Sequence, residues 1–113
     1  MRLTTVMVLA AAALLGACGK PVERRDVQKL VDEQWRTCLI VEVKNVKIES
    51  QDRKSVRYSY VLRMRTDGVW AGKSIPCPMP QQKLVEALFN KDMADLKVNN
   101  EATVTQEAVK QSK

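Results

Sequence analysis

The stretch Val56-Arg-Tyr-Ser-Tyr-Val-Leu-Arg-Met-Arg65 has the most regular hydropathy pattern in the chain. Its large apolar and aromatic residues fall at every second position from Val56 to Met64, and most positions between them are polar. A period of two places alternate side chains on opposite faces of a β-strand. The stretch therefore predicts a strand with one face in a core and the other toward solvent.

The neighbouring segments predict further strands. Residues 39–48 repeat the same period with a one-residue slip near Asn45, which indicates a β-bulge, and a polar turn at 50–55 joins the two strands. After Met64, Asp67-Gly68 is a pair that favours a type I′ hairpin, because both central residues of that turn adopt positive φ. We therefore predict an antiparallel β-meander of about three strands, with the third starting at Val69.

Two segments with a helical period flank this meander. One begins near Val22 and carries an apolar stripe from Val27 to Trp35, and the other begins near Gln81 after the proline-rich segment 75–80. The pattern predicts a small single α+β domain with an N-terminal helix and a second helix on the same sheet face. Residues 102–105 are a candidate for a short C-terminal strand.

The first 17 residues have the layout of a secretory signal. Arg2 is followed by an apolar run from Val6 to Leu15 and then by small residues. The run is about ten residues long, whereas a membrane-spanning helix needs about 20. The segment Leu15-Gly16-Ala17-Cys18 resembles the lipobox of bacterial lipoproteins, which implies cleavage before Cys18, a diacylglycerol on its thiol and a further acyl chain such as palmitate on its amine.

The same resemblance places the protein in the cell envelope. In enteric-type lipoproteins an aspartate after the lipidated cysteine retains the product in the inner membrane, and this chain has Gly19 there. We therefore expect a lipid anchor in the inner leaflet of the outer membrane, facing the periplasm. The predicted organisation is a signal peptide at 1–17, a lipidated N-terminus and spacer at 18–21, the α+β domain at 22–105 and a polar tail at 106–113.

Assigning Cys18 to lipid leaves Cys38 and Cys77 as the only other cysteines, in a compartment where disulfides persist. A full-length third strand would separate these residues by about 26 Å, at about 3.3 Å per residue. A disulfide needs Cα atoms within about 7 Å of each other. Either the third strand breaks near Gly72 and the cysteines are bridged, or the thiols stay unpaired; we favour the bridge.

The residue inventory argues against several kinds of chemistry. The chain has no histidine, no Ser-x-x-Lys arrangement and no Cys-x-x-Cys pair, so the usual bases for acyl transfer and the usual redox motif are missing. Two cysteines without histidine do not form a zinc site. We therefore predict a non-enzymatic protein that needs no metal or cofactor.

The chain is basic, with 19 Lys and Arg against 13 Asp and Glu among 113 residues, and cleavage would remove only Arg2 from this charge balance. Several cations fall on the solvent-facing side of the predicted sheet. In the predicted hairpin, Arg65 would lie opposite Trp70, in reach of a cation–π contact. The candidate binding patch consists of Lys44, Arg57, Arg63, Arg65 and Trp70.

The alternative for this patch is an ordinary solvated face that keeps the protein soluble. As a binding surface it would suit an acidic partner: anionic lipid head groups, a negatively charged protein or, last in order, nucleic acid. Our first hypothesis is a non-enzymatic accessory lipoprotein that binds an envelope protein through this face or the strand edge. The second is an inhibitor, immunity or exclusion lipoprotein of a mobile element, and the third is a small enzyme.

Overall fold

The computed structural model describes residues 4–17, 21–70 and 75–111, with side chains described at 21–69 and 75–110. These residues form a small α+β domain with two helices and an antiparallel sheet, which confirms the predicted fold class. The elements, in chain order, are β1 (Thr4–Ala17), α1 (Arg24–Trp35), β2 (Val41–Gln51), β3 (Ser55–Met64), α2 (Met79–Phe89) and β4 (Glu101–Gln111), with short 3₁₀ turns at Gly68–Trp70 and Met93–Asp95.

The sheet has the strand order β1-β4-β3-β2. β3 is central and pairs antiparallel with β2 on one side and with β4 on the other. The bulge predicted near Asn45 is confirmed, because the register of β2 shifts between Lys44 and Lys47, and Asn45 has a φ of 54°. β1, which coincides with the predicted leader, lies parallel to β4 at the edge of the sheet.

The prediction of a third strand starting at Val69 was wrong. The chain turns through a 3₁₀ turn there, and the third antiparallel strand is β4, from the C-terminal segment. Gly68 is required for close approach rather than for a hairpin: a Cβ atom on it would lie 1.8 Å from the carbonyl oxygen of Met93. Its amide donates to the carbonyl of Leu96 at 2.9 Å, which fixes the chain against the second 3₁₀ turn.

The C-terminal boundary also differs from the sequence prediction. Residues 106–111 continue β4 as part of the sheet, and Gln106, Ala108 and Lys110 are buried. Because most of these residues are polar, their hydropathy did not predict a strand. One side of the segment is buried only through packing in the folded domain. The short C-terminal strand predicted at 102–105 is therefore the first half of a strand of 11 residues.

The two helices pack into one core with the apolar face of β3. α1 contributes Val27, Val31 and Trp35, and α2 contributes Val85 and Leu88. Burial of these side chains stabilises the fold by about 1.5–3 kcal/mol for each large aliphatic residue. Residues of β3 that face the helices are fully buried: Val56, Tyr58, Tyr60, Leu62 and Met64.

A chain of buried hydrogen bonds crosses this core. The indole Nε1 of Trp35 donates to the hydroxyl of Tyr60 at 3.0 Å, and that hydroxyl donates to Oε1 of Gln106 at 3.0 Å. The three residues belong to α1, β3 and β4, so the chain joins the helix layer to two strands of the sheet. Burial raises the pKa of Tyr60 far above its ordinary value, and the hydrogen bond from Trp35 opposes part of that rise.

Cys38 and Cys77 form a disulfide across 39 positions of sequence. The predicted conflict with a long third strand does not arise, because after the 3₁₀ turn the chain returns to the start of β2. There the amide of Leu39 donates to the carbonyl of Pro76 at 2.9 Å. Closing a loop of this length contributes about 4 kcal/mol in the chain-entropy account of disulfides.

Candidate binding surfaces

Opposite the helices, the sheet presents an uncovered face that we call the open face. Cross-strand partners in a sheet point to the same side, so the register places Arg63 between Glu42 and Glu101, and Arg57 between Ser50 and Glu107. Lys44, Lys47 and Glu49 lie on the same side of β2. The predicted patch residues Lys44, Arg57 and Arg63 are therefore brought together as expected.

Glutamates alternate with these cations and pair with them. Arg63 Nε lies 2.8 Å from Glu42 Oε2, and Lys44 Nζ lies 3.4 Å from Glu101 Oε2. The hydrogen bond from Arg63 lowers the pKa of the Glu42 carboxyl, an effect that burial partly opposes, and the same bond raises the pKa of Arg63. Both side chains of that pair are about one third exposed, so water screens their attraction and the contribution to stability is small.

Within its described strand ladders the open face is consequently balanced in charge rather than positive. Its described cations are Lys44, Lys47, Arg57 and Arg63, and its carboxylates are Glu42, Glu49, Glu101 and Glu107. The sequence pattern identified three of these four cations, Lys44, Arg57 and Arg63, but not Lys47 or the glutamates of β4, because β4 was predicted only in part. The balance removes the electrostatic reason for expecting an acidic partner at this face.

The other two residues of the predicted patch, Arg65 and Trp70, are not placed on the open face by the strand ladders. Arg65 lies beyond the end of β3, where its amide donates to the carbonyl of Ile40 at 2.7 Å, and its side chain is exposed. Trp70 ends the first 3₁₀ turn, so no strand ladder places it opposite Arg65. Its side chain lies outside the described residues, and the predicted cation–π contact stays a prediction.

A second surface was missed by the sequence analysis, which treated the proline-rich segment only as a connector. Around the disulfide, the described side chains form an exposed apolar cluster that we call the disulfide pole: Leu39, Pro76, Pro78, Met79 and Pro80. Leu39 is 46% exposed and Met79 60%. Three prolines next to a cysteine were the available signal, since each proline fixes its own φ.

Additional contacts hold the disulfide pole rigid. Gln81 at the start of α2 accepts a hydrogen bond from the hydroxyl of Thr37 at 2.8 Å and donates to the carbonyl of Gln34. These bonds join the end of α1 to the beginning of α2, beside the disulfide. Rigid apolar groups lose little conformational entropy on binding, which favours them as contact residues.

The disulfide pole lies at the far end of the domain from the spacer. The backbone of Val22, just before α1, makes two hydrogen bonds with the side chain of Gln51 at the end of β2. The pole adjoins the beginning of β2, at Val41, and a strand of 11 residues covers about 30 Å. A protein anchored at Cys18 would thus present this cluster away from its anchor.

The described residues contain no cluster of metal-ligating side chains, since no group of three or more His, Cys, Asp and Glu among them could hold a metal ion. Nor is any described helix both long and apolar enough to cross a membrane. No protein-family model, curated protein or solved structure matches the chain.

Proposed function

We propose that this protein is a lipoprotein of the bacterial envelope, anchored through Cys18 and facing the periplasm, that acts as a non-enzymatic binding module for another envelope protein. The observation that carries the proposal is the segment Leu15-Gly16-Ala17-Cys18, which resembles a lipobox, followed by a short spacer and a compact domain. Two or more acyl chains hold a protein on a membrane far more firmly than one.

The position of β1 is compatible with removal of the leader. β1 pairs only with β4 and lies outermost in the sheet. Without it, the sheet β4-β3-β2 keeps its own ladders, both helices and the Cys38–Cys77 disulfide. The buried core residues with described side chains run from Val22 to Ala108, all downstream of the cleavage position.

The disulfide pole is the surface that we propose for the partner. It is apolar, rigid and distant from the spacer, whereas the open face is charge-balanced and largely satisfied by its own ion pairs. Exposed apolar clusters on secreted domains commonly mark protein interfaces. The proposed partner is a protein with a complementary apolar surface that reaches into the periplasm.

Anchoring is tested by the intact mass of the full chain expressed in a Gram-negative host and extracted from membranes. The expected mass lacks residues 1–17 and carries a diacylglycerol and an acyl chain on Cys18. Cys18→Ser is the matched control, because it removes the modified thiol and leaves the other two cysteines in place. A wild-type protein recovered with its leader attached, or processed without lipid, would contradict the proposal.

Binding is tested by crosslinking in intact cells with two variants of equal chemistry. Met79→Lys places a charge on the disulfide pole, and Val98→Lys places the same charge at an apolar position of similar exposure, 48%, between the second 3₁₀ turn and β4. We expect Met79→Lys to lose at least tenfold of the crosslinked partner and Val98→Lys to retain it. Equal yields from both variants would exclude the pole as the contact surface.

A further inference from the structure

The two edges of the antiparallel sheet β4-β3-β2 differ in regularity. The β2 edge is interrupted by two register shifts, and Asn45 adopts a positive φ at the first of them. Arg24 of α1 also covers this edge, since its Nε donates to the carbonyl of Val46 at 2.9 Å. Bulges and covering side chains are devices that prevent a strand edge from pairing with another chain.

The β4 edge has none of these interruptions in its pairing with β3. Residues 101–109 pair with β3 in one unbroken register, and the strand contains neither proline nor glycine. The amide of Lys110 donates to the carbonyl of Lys54, and the carbonyl of Asn100 accepts from the amide of Met64. Alternate residues of a strand direct their backbone N–H and C=O groups to the same side. In β4 the backbone groups of the even-numbered residues therefore bond to β3, and those of the odd-numbered residues point away from β3, along the outer edge of the strand.

These outward groups already bind a strand in the full chain. β1 lies against them, in parallel, from Thr4 opposite Thr103 to Ala17 opposite Gln111. Under the proposed function a signal peptidase cleaves before Cys18 and removes β1, and the pairing inferred for β4 rests on that removal. Loss of β1 would leave a regular strand edge of 11 residues uncovered, which is a template for pairing with another chain.

We infer that in the mature lipoprotein β4 pairs antiparallel with β4 of a second copy, about a twofold axis near Gln106, and forms a continuous six-stranded sheet. This register pairs all 11 residues of β4 with their counterparts. A twofold axis closes the assembly at two copies, because each copy has only one such edge. The other sheet edge, at β2, is obstructed.

Self-pairing in this register is compatible with the charges of β4. Glu101 falls opposite Gln111, Ala102 opposite Lys110 and Thr105 opposite Glu107, so no like charges stand directly opposite each other. Like charges in directly opposed positions would destabilise the pair. The strand therefore meets no charge repulsion from its own antiparallel copy, and a symmetric register that pairs its whole length favours a second copy as the occupant.

The test begins with the full chain, processed in a Gram-negative host and extracted in mild detergent. Intact mass first establishes whether residues 1–17 are gone, which decides the proposed function independently. Native mass spectrometry of the processed protein then gives the number of copies. We expect two; a single copy, or one copy bound to a different protein through β4, would overturn the inference.

A variant addresses the edge itself. Thr105→Pro removes an outward amide that β3 does not use, and Thr105→Val keeps the amide and the shape of the side chain. We expect Thr105→Pro to halve the measured mass with an unchanged circular dichroism spectrum, and Thr105→Val to remain dimeric. A folded Thr105→Pro protein that stays dimeric would place the interface elsewhere.

Residue-resolved hydrogen exchange on the processed wild-type protein gives an answer that does not depend on the folding of any variant. If the edge is paired, the odd-numbered amides from Thr103 to Val109 are protected like their even-numbered neighbours. If they exchange at least a hundredfold faster than those neighbours, the edge is free and the inference is wrong.

Discussion

Replacing Tyr60 with phenylalanine removes the centre of the buried hydrogen-bond chain that joins α1, β3 and β4. The indole N–H of Trp35 and Oε1 of Gln106, each 3.0 Å from the lost hydroxyl, would both be left without that partner in the core. A buried polar group deprived of its partner costs about 1–3 kcal/mol. With two such groups, we expect Tyr60→Phe to lower the free energy of unfolding by about 2–6 kcal/mol.

Tyr58 provides a matched control on the same strand and the same face. Its side chain is as buried as that of Tyr60, and the two rings stack with their centroids 6.3 Å apart. Among the described residues, however, no hydrogen-bond partner lies within reach of the Tyr58 hydroxyl. Tyr58→Phe removes the same atom without breaking a bond, so it should leave stability unchanged or raise it by about 1 kcal/mol.

The assay is urea denaturation of the full chain and both variants, followed by far-ultraviolet circular dichroism, with the slope m compared among them. We expect Tyr60→Phe to unfold at a clearly lower urea concentration than Tyr58→Phe, with similar m-values. If the two variants had the same midpoint, or if Tyr58→Phe were the less stable one, the proposed hydrogen-bond chain would not be a determinant of stability.

Three further results are expected. Reducing the Cys38–Cys77 disulfide should lower the free energy of unfolding by about 4 kcal/mol, and a Cys38→Ala/Cys77→Ala variant should show no response to reductant; equal denaturation midpoints with and without reductant in the wild type would contradict this. Gly68→Ala should destabilise the fold by about 1–3 kcal/mol because the added methyl group meets the backbone of Met93, while Val69→Ala at the exposed neighbouring position should change stability by less than about 0.5 kcal/mol. Thermal unfolding compares the two variants, and equal melting temperatures would argue against the close approach of Gly68 to Met93. Burial raises the pKa of Tyr58 to about 12, whereas a tyrosine in the unfolded chain ionises near its ordinary value of 10.0, so the unfolded chain releases this proton first. The contribution of Tyr58 to stability is therefore complete below pH 10 and is lost between about pH 10 and 12. The loss should be smaller in Tyr58→Phe, and superimposable profiles of stability against pH would refute the assignment.

The strong local patterns of the sequence were reliable where one strand or helix carries its own signal. β3 alternates from Val56 to Met64 with Val61 as the single apolar residue at an intervening position, α1 shows an apolar stripe, and the slip at Asn45 indicated the bulge that the structure contains. In each case the periodicity follows from backbone geometry alone, which is why it can be read without knowing the neighbours. Counting the cysteines that remain once Cys18 is assigned to lipid favoured the pairing of Cys38 with Cys77 over unpaired thiols, and the structure contains that disulfide.

The predicted third strand failed because Asp67-Gly68 has two physical interpretations. A glycine in this pair suits a type I′ turn, but it also suits a close backbone contact, and the contact with Met93 is 25 residues away in sequence. Such a contact exists only when distant segments meet. The same limit applied to β4, whose polar residues are buried by packing between its neighbours rather than by their own hydropathy.

The sequence by itself determined the α+β class, the position of the central strand and the bulge, and it favoured the cysteine pair, because these depend on backbone period and on residue inventory. Only the tertiary structure decided that the arginine-bearing face is balanced in charge within its described strand ladders, since its glutamates come from β2 and β4 and become neighbours of the cations through strand pairing. It also decided that the disulfide gathers Leu39 and Met79 into one apolar pole, and that β4 is the regular edge of the sheet. Net charge is a property of composition, but surface charge depends on which residues folding brings side by side.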